Sequence, residues 1–406
     1  MDFQNTMPLP PAAAPVQSRA APVRRATAPP PSAGNLPLRF TGSGSEYFRI
    51  WIVNLLLTIV TLGLYHPFAK ARRLRYFHAN TVVGGHALGF HGDPWKMLRG
   101  FLLMLVFGAV YVGAGQFSVT AGALAGAAFA LLWPALWQSS LRFRLANTSW
   151  RGLRMRFDGD LRGAYAALLP LLLPLAVMLV ASAGLGQPGQ PEPSALRAAI
   201  AGFSMLAIAL LLPYTLARIK RYQHGHYALA GEVTQLDVRT RSFYGWALRT
   251  FLVSVLPLGL IGIAAAAVLP DMRHLRGDAA LRASIGFGGL LLLAYLVTLL
   301  LTQSYAVARL QNLVWSATRS PRLSFDSRLG FGALMGLMAK NLVLMLVTLG
   351  LYRPFAVIAM TRLRLEAVSI DAADDIEQWS AAAAARGTPE AAGDAAGDLL
   401  GIDIGL

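Results

Sequence analysis

Long apolar segments constrain this chain more than any other feature of its sequence. About 20 apolar residues in a helix cross the roughly 30 Å hydrocarbon core of a bilayer. Only 14% of the residues are charged, whereas about 25% are charged in a typical soluble protein. The sequence therefore excludes the soluble globular class and predicts a mainly α-helical polytopic membrane protein with about eight transmembrane segments. These segments cover residues 47–66, 101–118, 120–137, 164–184, 196–216, 250–270, 284–306 and 331–352.

The two ends of the chain differ in composition from the apolar part. Residues 1–38 are rich in Pro and Ala, and residues 371–406 are acidic. Segments of this kind contain too few large apolar residues to form a packed core. The sequence predicts a disordered N-terminal tail over 1–38, a repeat-built transmembrane domain over 39–370 and a disordered acidic tail over 371–406.

Lys and Arg are concentrated in alternate loops. The loops 66–100, 135–163, 214–249 and 307–330 contain 22 of them, and the three turns between these loops contain 4. Because cytoplasmic loops of membrane proteins carry an excess of Lys and Arg, the basic loops are expected to face the cytoplasm. This distribution explains most of the net charge of +16. It also argues against nucleic acid as a partner, since the basic residues do not form one soluble module.

The first and last apolar segments resemble each other. The string TLGLY, followed by one variable residue and PFA, occurs once near each end of the chain at a constant shift of 287 residues. Asn54 matches Asn341, and Arg75 matches Arg362. The repeat leaves two alternatives open for these two segments. Either both span the membrane, or both are re-entrant and turn back at Gly63 and Gly350.

The basic loops also resemble each other and predict a repeated unit. Each unit has an apolar helix, a Pro, an Arg-containing turn and a short segment around a turn-forming pair, at 84–85, 151–152, 230–231 and 320–321. Such segments are typical of β-hairpins. Because single hairpins are marginally stable in water, we expect the four to associate into one sheet at the cytoplasmic face. The residues with an expected structural role in the repeat are Pro67, Asn80, Thr81, Asn147, Thr148, Pro213 and Pro354.

A family resemblance rests on the first unit. The motif Phe40-TGSGSEYF-Arg49-Ile-Trp51, then Asn54, the string TLGLYHPFAKARRLRYFHANT and Gly92 resemble the YjgN-like family of bacterial inner-membrane proteins. The resemblance covers about residues 38–370. It implies a multi-pass protein of the bacterial inner membrane, and it implies no substrate, cofactor or catalytic residue, because the function of the family is not established.

Two groups of polar residues are candidate sites. Asn54 and Asn341 lie at equivalent depths in apolar segments, where a polar side chain either serves a function or bonds a neighbouring helix. The second group is a basic ring that sets topology and attracts anionic lipid headgroups, or binds an anionic ligand. Its members are Lys70, Arg72, Arg75, Arg142, Arg218, Lys220 and Arg221.

The remaining motifs favour a non-enzymatic protein. The chain has no Cys, and no phosphate-binding loop, dinucleotide fingerprint or nucleophile elbow is present. We expect no catalytic residue, no metal and no cofactor, with the lipid bilayer and anionic headgroups as partners. The stripes Gly122–Gly126 and Gly332–Gly336 are compatible with a homo-oligomer. The leading hypothesis is binding or transport of a small or lipidic solute, and the alternative is a membrane-organising protein that recruits partners or lipids through its basic cytoplasmic cap.

Overall fold

The computed structural model describes residues 34–182, 194–272, 274–373 and 375–385. The rest of the predicted tails, residues 1–33 and 386–406, lies outside this description. The predicted tail boundaries differ from the structure at both ends. A strand begins at Asn35, and residues 376–385 of the acidic segment form a helix.

Helical hairpins make up most of the described residues. Neighbouring hairpins pack against each other, and the last packs against the first, so that the five hairpins form a closed ring. An eleventh helix, α11, covers Ile376–Ala385. The hairpins are α1 Gly44–Val60 with α2 His66–Ala79, α3 Pro94–Phe117 with α4 Val119–Ala146, α5 Leu161–Ser182 with α6 Ala195–His224, α7 Thr240–Met272 with α8 Gly277–Trp315, and α9 Phe331–Val347 with α10 Arg353–Glu366.

Six helices within the described residues, α3 to α8, are long and apolar enough to cross a membrane. The structure confirms a polytopic helical protein but not the predicted eight spans. The difference lies in the first and last apolar segments, 47–66 and 331–352. Each of these segments forms a helix and a tight turn, and the helix that follows the turn returns to the same sheet. A hydropathy window cannot distinguish such a turn from a continuous apolar helix.

The two tight turns form tips with the same geometry. In the first tip the Thr61 hydroxyl donates to Leu57 O at 2.7 Å and accepts from Tyr65 N at 2.9 Å. Leu62 and Gly63 have φ of 50° and 92°. These bonds satisfy backbone groups that a bilayer would leave unpaired. The second tip has matching bonds of 2.7 and 3.0 Å and matching φ values of 50° and 88°, at Leu344, Thr348, Leu349, Gly350 and Tyr352.

The short strands between the helical hairpins form one antiparallel sheet. The strands are β1 Asn35–Phe40, β2 Thr81–Val83, β3 His86–Phe90, β4 Thr148–Trp150, β5 Leu153–Phe157, β6 Tyr227–Leu229, β7 Glu232–Val233, β8 Gln235–Leu236, β9 Thr318–Arg319, β10 Leu323–Ser327 and β11 Val368–Ala372. Their order in the sheet is β7-β6-β5-β4-β3-β2-β1-β11-β10-β9-β8. The edge strands β7 and β8 are consecutive in the chain with only Thr234 between them, so the two edges meet and the sheet closes into a ring.

The predicted hairpins are present at all four turn pairs, and they lie in one sheet as expected. Residues in the first three turns adopt positive φ, for example 50° at Arg151 and 79° at Gly152, whereas the Ser-Pro pair at 320–321 does not. The strands β1 and β11 complete the ring by pairing with each other, although they come from opposite ends of the chain. The repeat inferred from the sequence stays a prediction. A repeat would require helical hairpins that alternate with pairs of strands, and the structure has five of each.

Alternate residues of the strands face the inside of the ring. A buried cluster there includes Leu36 and Trp150. Helix α11 closes one end of the ring, because Trp379, which is 6% exposed, packs into the same cluster. Arg151 holds this helix by donating to Ser380 Oγ at 3.1 Å.

The prolines of the predicted unit occupy two different positions. Pro67 and Pro354 lie in the first turn of α2 and α10, where a missing N–H costs nothing. Pro213 lies inside α6, as Pro134 lies inside α4. The predicted unit places the Pro after the apolar helix, and this order is wrong for the long hairpins. In these hairpins the helix continues through the proline to the sheet.

Candidate functional site

A cavity of about 910 Å³ joins the inside of the strand ring to the space between α8, α9 and α10. This volume lies at the upper end of the usual range of about 300–1,000 Å³ for small-molecule sites. Apolar side chains form most of its wall. The strands contribute Leu36, Leu38, Thr81, Val83, Leu88, Trp150, Met155, Leu229, Leu323, Phe325, Val368 and Ile370.

The helical part of the wall uses one face of each helix. On α10 the lining residues recur at helical spacing, from Arg353 through Val357 and Met360 to Arg364. The distance along α10 from Arg353 to Arg364 is roughly 16 Å at 1.5 Å per residue. The lining residues of α8 begin with Leu296 in its apolar part and end at Trp315 beside the sheet. The cavity therefore extends from the level of the apolar helices to the ring.

A small group of polar side chains interrupts the apolar wall near the ring. Arg364 Nε donates to Gln311 Oε1 at 2.9 Å, and Gln311 Nε2 donates to Arg364 O at 2.8 Å. Burial lowers the pKa of Arg364. Its side chain nevertheless remains accessible, because the cavity lies beside it.

The two predicted intramembrane asparagines lie in different surroundings. Asn341 is 3% exposed, lines the cavity, and its Oδ1 atom has no hydrogen-bond partner among the described residues. Asn54 is 8% exposed and donates from Nδ2 to Ala69 O at 3.4 Å. Its Oδ1 atom also has no hydrogen-bond partner among the described residues, but Asn54 does not line the cavity. The structure does not bring the two side chains to one site. Buried polar atoms without a partner are rare, and of these two Oδ1 atoms only that of Asn341 belongs to a residue that lines the cavity.

Three arginines of the predicted basic ring bind the chain's own backbone. Each lies near the end of a helix and donates to a carbonyl 17 residues later, at the corner where a strand leads into the next hairpin. The bonds are Arg75 to Gly92 O at 3.1 Å, Arg142 to Gly159 O at 3.1 Å and Arg221 to Val238 O at 2.6 Å. Arg362, which the repeat matched to Arg75, donates to Gly42 O at 2.8 Å and so connects the last helical hairpin to the start of the first. These guanidinium groups stabilise the corners of the ring.

Steric contact with an aromatic ring explains why a glycine occupies these corners. A Cβ atom at Gly92 would lie 2.5 Å from the ring of Phe90, and one at Gly159 would lie 2.5 Å from the ring of Phe157. The repeated Phe-x-Gly sequence therefore lets an aromatic ring pack directly on the backbone whose carbonyl the arginine binds.

The other basic residues of the predicted ring have local contacts. Arg72 lies over the ring of Tyr65 at 5.9 Å, and Arg218 donates to the Tyr214 hydroxyl at 3.0 Å. Lys220 donates to Gln223 Oε1 at 3.0 Å. Lys70 lies on α2 and also has a contact. The structure thus distributes the predicted ring around the helices and does not gather it into one pocket.

The predicted Asn-Thr pairs end helices α2 and α4. Asn80 Nδ2 donates to Tyr76 O at 2.9 Å, and Thr81 Oγ1 donates to Phe77 O at 2.8 Å. Asn147 and Thr148 form the same two bonds, both at 2.8 Å, at the end of α4. These contacts satisfy the last carbonyls of each helix, which have no partner within the helix itself.

Sequence reasoning did not single out Arg364, Gln311 or the strand residues that line the cavity. A signal for Arg364 exists, because the repeat places Phe77 at the equivalent position of the first unit. A charge that replaces an aromatic residue in a matched repeat indicates a local change of role. Among the described residues no group of three or more His, Asp or Glu lies close enough together to hold a metal ion.

A family model described as a bacterial protein of unknown function, DUF898, matches residues 35–399. The chain belongs to this family. It is 30% identical over 153 residues to the inner membrane protein YjgN of Salmonella typhimurium, which covers 36% of this chain and 38% of that protein. It is 28% identical over 141 residues to the inner membrane protein YjgN of Escherichia coli K12, which covers 34% of this chain and 35% of that protein.

The chain therefore matches little more than a third of the length of these curated relatives. No solved structure matches it. Together with the six apolar helices, the relatives identify it as a multi-pass protein of the bacterial inner membrane.

Proposed function

We propose that this protein binds a lipidic molecule in the cavity between α8, α9, α10 and the strand ring, and that it does so without catalysing a reaction. The observation that carries the proposal is the cavity itself, with about 910 Å³ of space and a wall that is mostly apolar. Apolar surface of this extent gains free energy when an apolar ligand covers it, at roughly 25 cal/mol per Å².

The position of the cavity supports a ligand that comes from the bilayer. Leu299 lines the cavity and is 42% exposed, so the cavity wall is accessible at α8, a helix that lipid would surround. The neighbouring α9 has 17 residues and is roughly 26 Å long, shorter than the hydrocarbon core. A membrane lipid would thus reach the cavity beside a hairpin that does not span the bilayer.

The tips of the two short hairpins support the same placement. Leu62 is 94% exposed and Leu349 is 93% exposed, although both are large and apolar. In water this exposure would be unfavourable, and inside the acyl region it would not. We infer that both tips insert into the bilayer from the side of the strand ring, which the excess of Lys and Arg assigns to the cytoplasm.

The alternative, recruitment of partners through a basic cap, receives less support. Arg75, Arg142 and Arg221 use their guanidinium groups on backbone carbonyls. Charges held in this way are poorly placed to bind anionic headgroups at the surface.

Filling the cavity tests the proposal. The double variant Leu300→Trp with Met345→Trp places two large rings in the lining from α8 and α9. We expect the purified variant to retain several-fold less co-purifying lipid than the wild type, measured by native mass spectrometry and by extraction of the bound lipid.

The matched control changes two lipid-facing residues of the same helices. Leu292 is 59% exposed and Val343 is 57% exposed, and neither lines the cavity. The variant Leu292→Trp with Val343→Trp should retain bound lipid at the wild-type level. Equal retention by both double variants, with unchanged thermal unfolding, would show that the cavity is not the binding site.

A further inference from the structure

The charges that line the cavity have one sign. Arg353 and Arg364 are its charged lining residues, and no Asp or Glu is among the residues that form the described wall. A positive charge beside an apolar cavity is costly unless an anion or hydrogen-bond acceptor compensates it. The described wall of the cavity therefore provides no negative group to compensate these two positive charges.

Arg364 is held in a defined orientation. The two bonds with Gln311, at 2.9 and 2.8 Å, fix the Nε side of the guanidinium group and the adjacent backbone. Neither Nη atom forms a hydrogen bond or an ion pair with another described residue. Two N–H groups in a fixed plane are the geometry that binds a carboxylate or a phosphate bidentately.

A second positive charge lies near this group. The charges of Lys220 on α6 and Arg364 on α10 are close enough to repel each other. Gln311, on α8, is neutral and 8% exposed, so it does not compensate either charge. An anion at the Nη side of Arg364 would reduce this repulsion as well as the desolvation cost.

The surroundings of Arg364 are suited to an alkyl chain. Leu365 and Met360 lie beside it in the wall, and the interior of the strand ring continues from it with Leu36, Val83 and Ile370. The far end of this apolar space is closed by Trp379 of α11. A molecule with a charged head at Arg364 could place an apolar chain in the space on either side of it.

We propose that the ligand of the cavity is an amphiphile with an anionic head, a carboxylate or a phosphate, bound at the Nη atoms of Arg364, and with an apolar chain in the cavity. This inference rests on the proposed function, because it assigns a class to the ligand of the same cavity. The carboxylate of a fatty acid and the phosphate of a phospholipid share the required chemistry.

Three probes with the same chain test the assignment: hexadecanoic acid, hexadecyl phosphate and hexadecanol. Their dissociation constants are measured for the full chain in a neutral detergent, from the quenching by brominated forms of each probe that is lost in the variant Trp150→Phe with Trp315→Phe, since both residues line the cavity. We expect the acid or the phosphate, or both, to bind about tenfold more tightly than the alcohol. The tighter of the two identifies the head.

The variant Arg364→Gln should reduce this preference to about twofold or less and leave the affinity for hexadecanol unchanged. Arg364→Lys keeps the charge and should retain part of the preference. The control Arg309→Gln changes an exposed arginine that lies over the ring of Tyr305, outside the cavity, and should bind all probes as the wild type does.

The outcomes separate the two proposals. Equal binding of the acid, the phosphate and the alcohol would overturn the assignment of an anionic ligand and leave the lipid-binding function standing. A preference that persists in Arg364→Gln would overturn the role of Arg364. Failure of all three probes to quench Trp150 and Trp315 would overturn the proposed function itself.

Discussion

The first and last helical hairpins have the same tips and the same corners, but their inner faces differ. In the first hairpin, Phe77 packs against Phe40 and Tyr47 with ring centroids 5.6 and 5.1 Å apart, and these rings fill the space. At the equivalent position of the last hairpin, Arg364 faces the cavity. The backbone of the unit thus depends on its tip and corner residues, whereas the side chains of the inner face decide whether the hairpin encloses a packed core or a cavity.

The largest expected effect concerns the corners that the two hairpins share. In Arg75→Met and Arg362→Met a backbone carbonyl loses a charged donor, and we expect each to lower the free energy of unfolding by about 1.5–3 kcal/mol. The measurement is unfolding of the detergent-solubilised protein in a titration with sodium dodecyl sulfate. As a control, Arg72→Met removes a contact with the exposed face of Tyr65 and should change stability by less than about 0.5 kcal/mol. A large loss from Arg75→Met with none from Arg362→Met would show that the two corners are not equivalent.

Substitutions of the glycines in the two tips should have equal effects on stability, smaller than those at the corners. Gly63 and Gly350 have φ of 92° and 88°, which a β-branched residue adopts only with strain. We expect Gly63→Val and Gly350→Val each to cost about 1–2 kcal/mol in the same unfolding titration. Gly332→Ala in α9, where an added Cβ meets open space, serves as the control and should not destabilise. The geometry of the tips would be wrong if either valine variant were as stable as the wild type.

The smallest expected effect is a pH dependence present in one hairpin and absent from the other. His78 of α2 corresponds to Leu365 of α10. Burial lowers the pKa of His78, and the charge of Arg144 lowers it further. The unfolded chain therefore binds a proton more readily than the folded protein, with a pKa of about 6.5. Stability should decrease as the pH falls from about 7 through this value toward the lower folded pKa.

The variant His78→Leu tests this dependence, because it gives the first hairpin the side chain that the last one has. The decrease in unfolding free energy between pH 7.5 and pH 5 should be smaller in the variant than in the wild type. An identical decrease in both proteins would mean that His78 does not contribute to the pH dependence.

Local signals in the sequence predict much of this architecture. The strand hairpins could be predicted because turn pairs such as Arg151-Gly152 require positive φ and lie between β-forming residues. The membrane class could be predicted from apolar length alone. Both features depend on residues that are neighbours in the chain.

The features that could not be predicted depend on residues far apart in the chain. No local signal pairs β1 with β11, since nothing in either strand identifies a partner at the other end. The apolar segment 47–66 has the length of a span, so the sequence left open whether it spans the membrane or turns back at Gly63, and the structure has the turn, with φ of 50° and 92° at Leu62 and Gly63. The sequence suggested that Arg75 contacts lipid headgroups. It could not show the bond to Gly92 O, because Gly92 becomes a neighbour of Arg75 only when the corner forms.

The pairing of β1 with β11 has a consequence for synthesis of the protein. A ribosome releases β1 early, but its partner on one side emerges only after all five helical hairpins have been translated. Until then the ring has two open edges, and an unpaired edge of this kind can pair with another chain. The helices of the nascent protein are therefore inserted into the membrane while β1 is paired only with β2. When β11 is released, it pairs with β1, closes the ring and makes it a single cooperative unit.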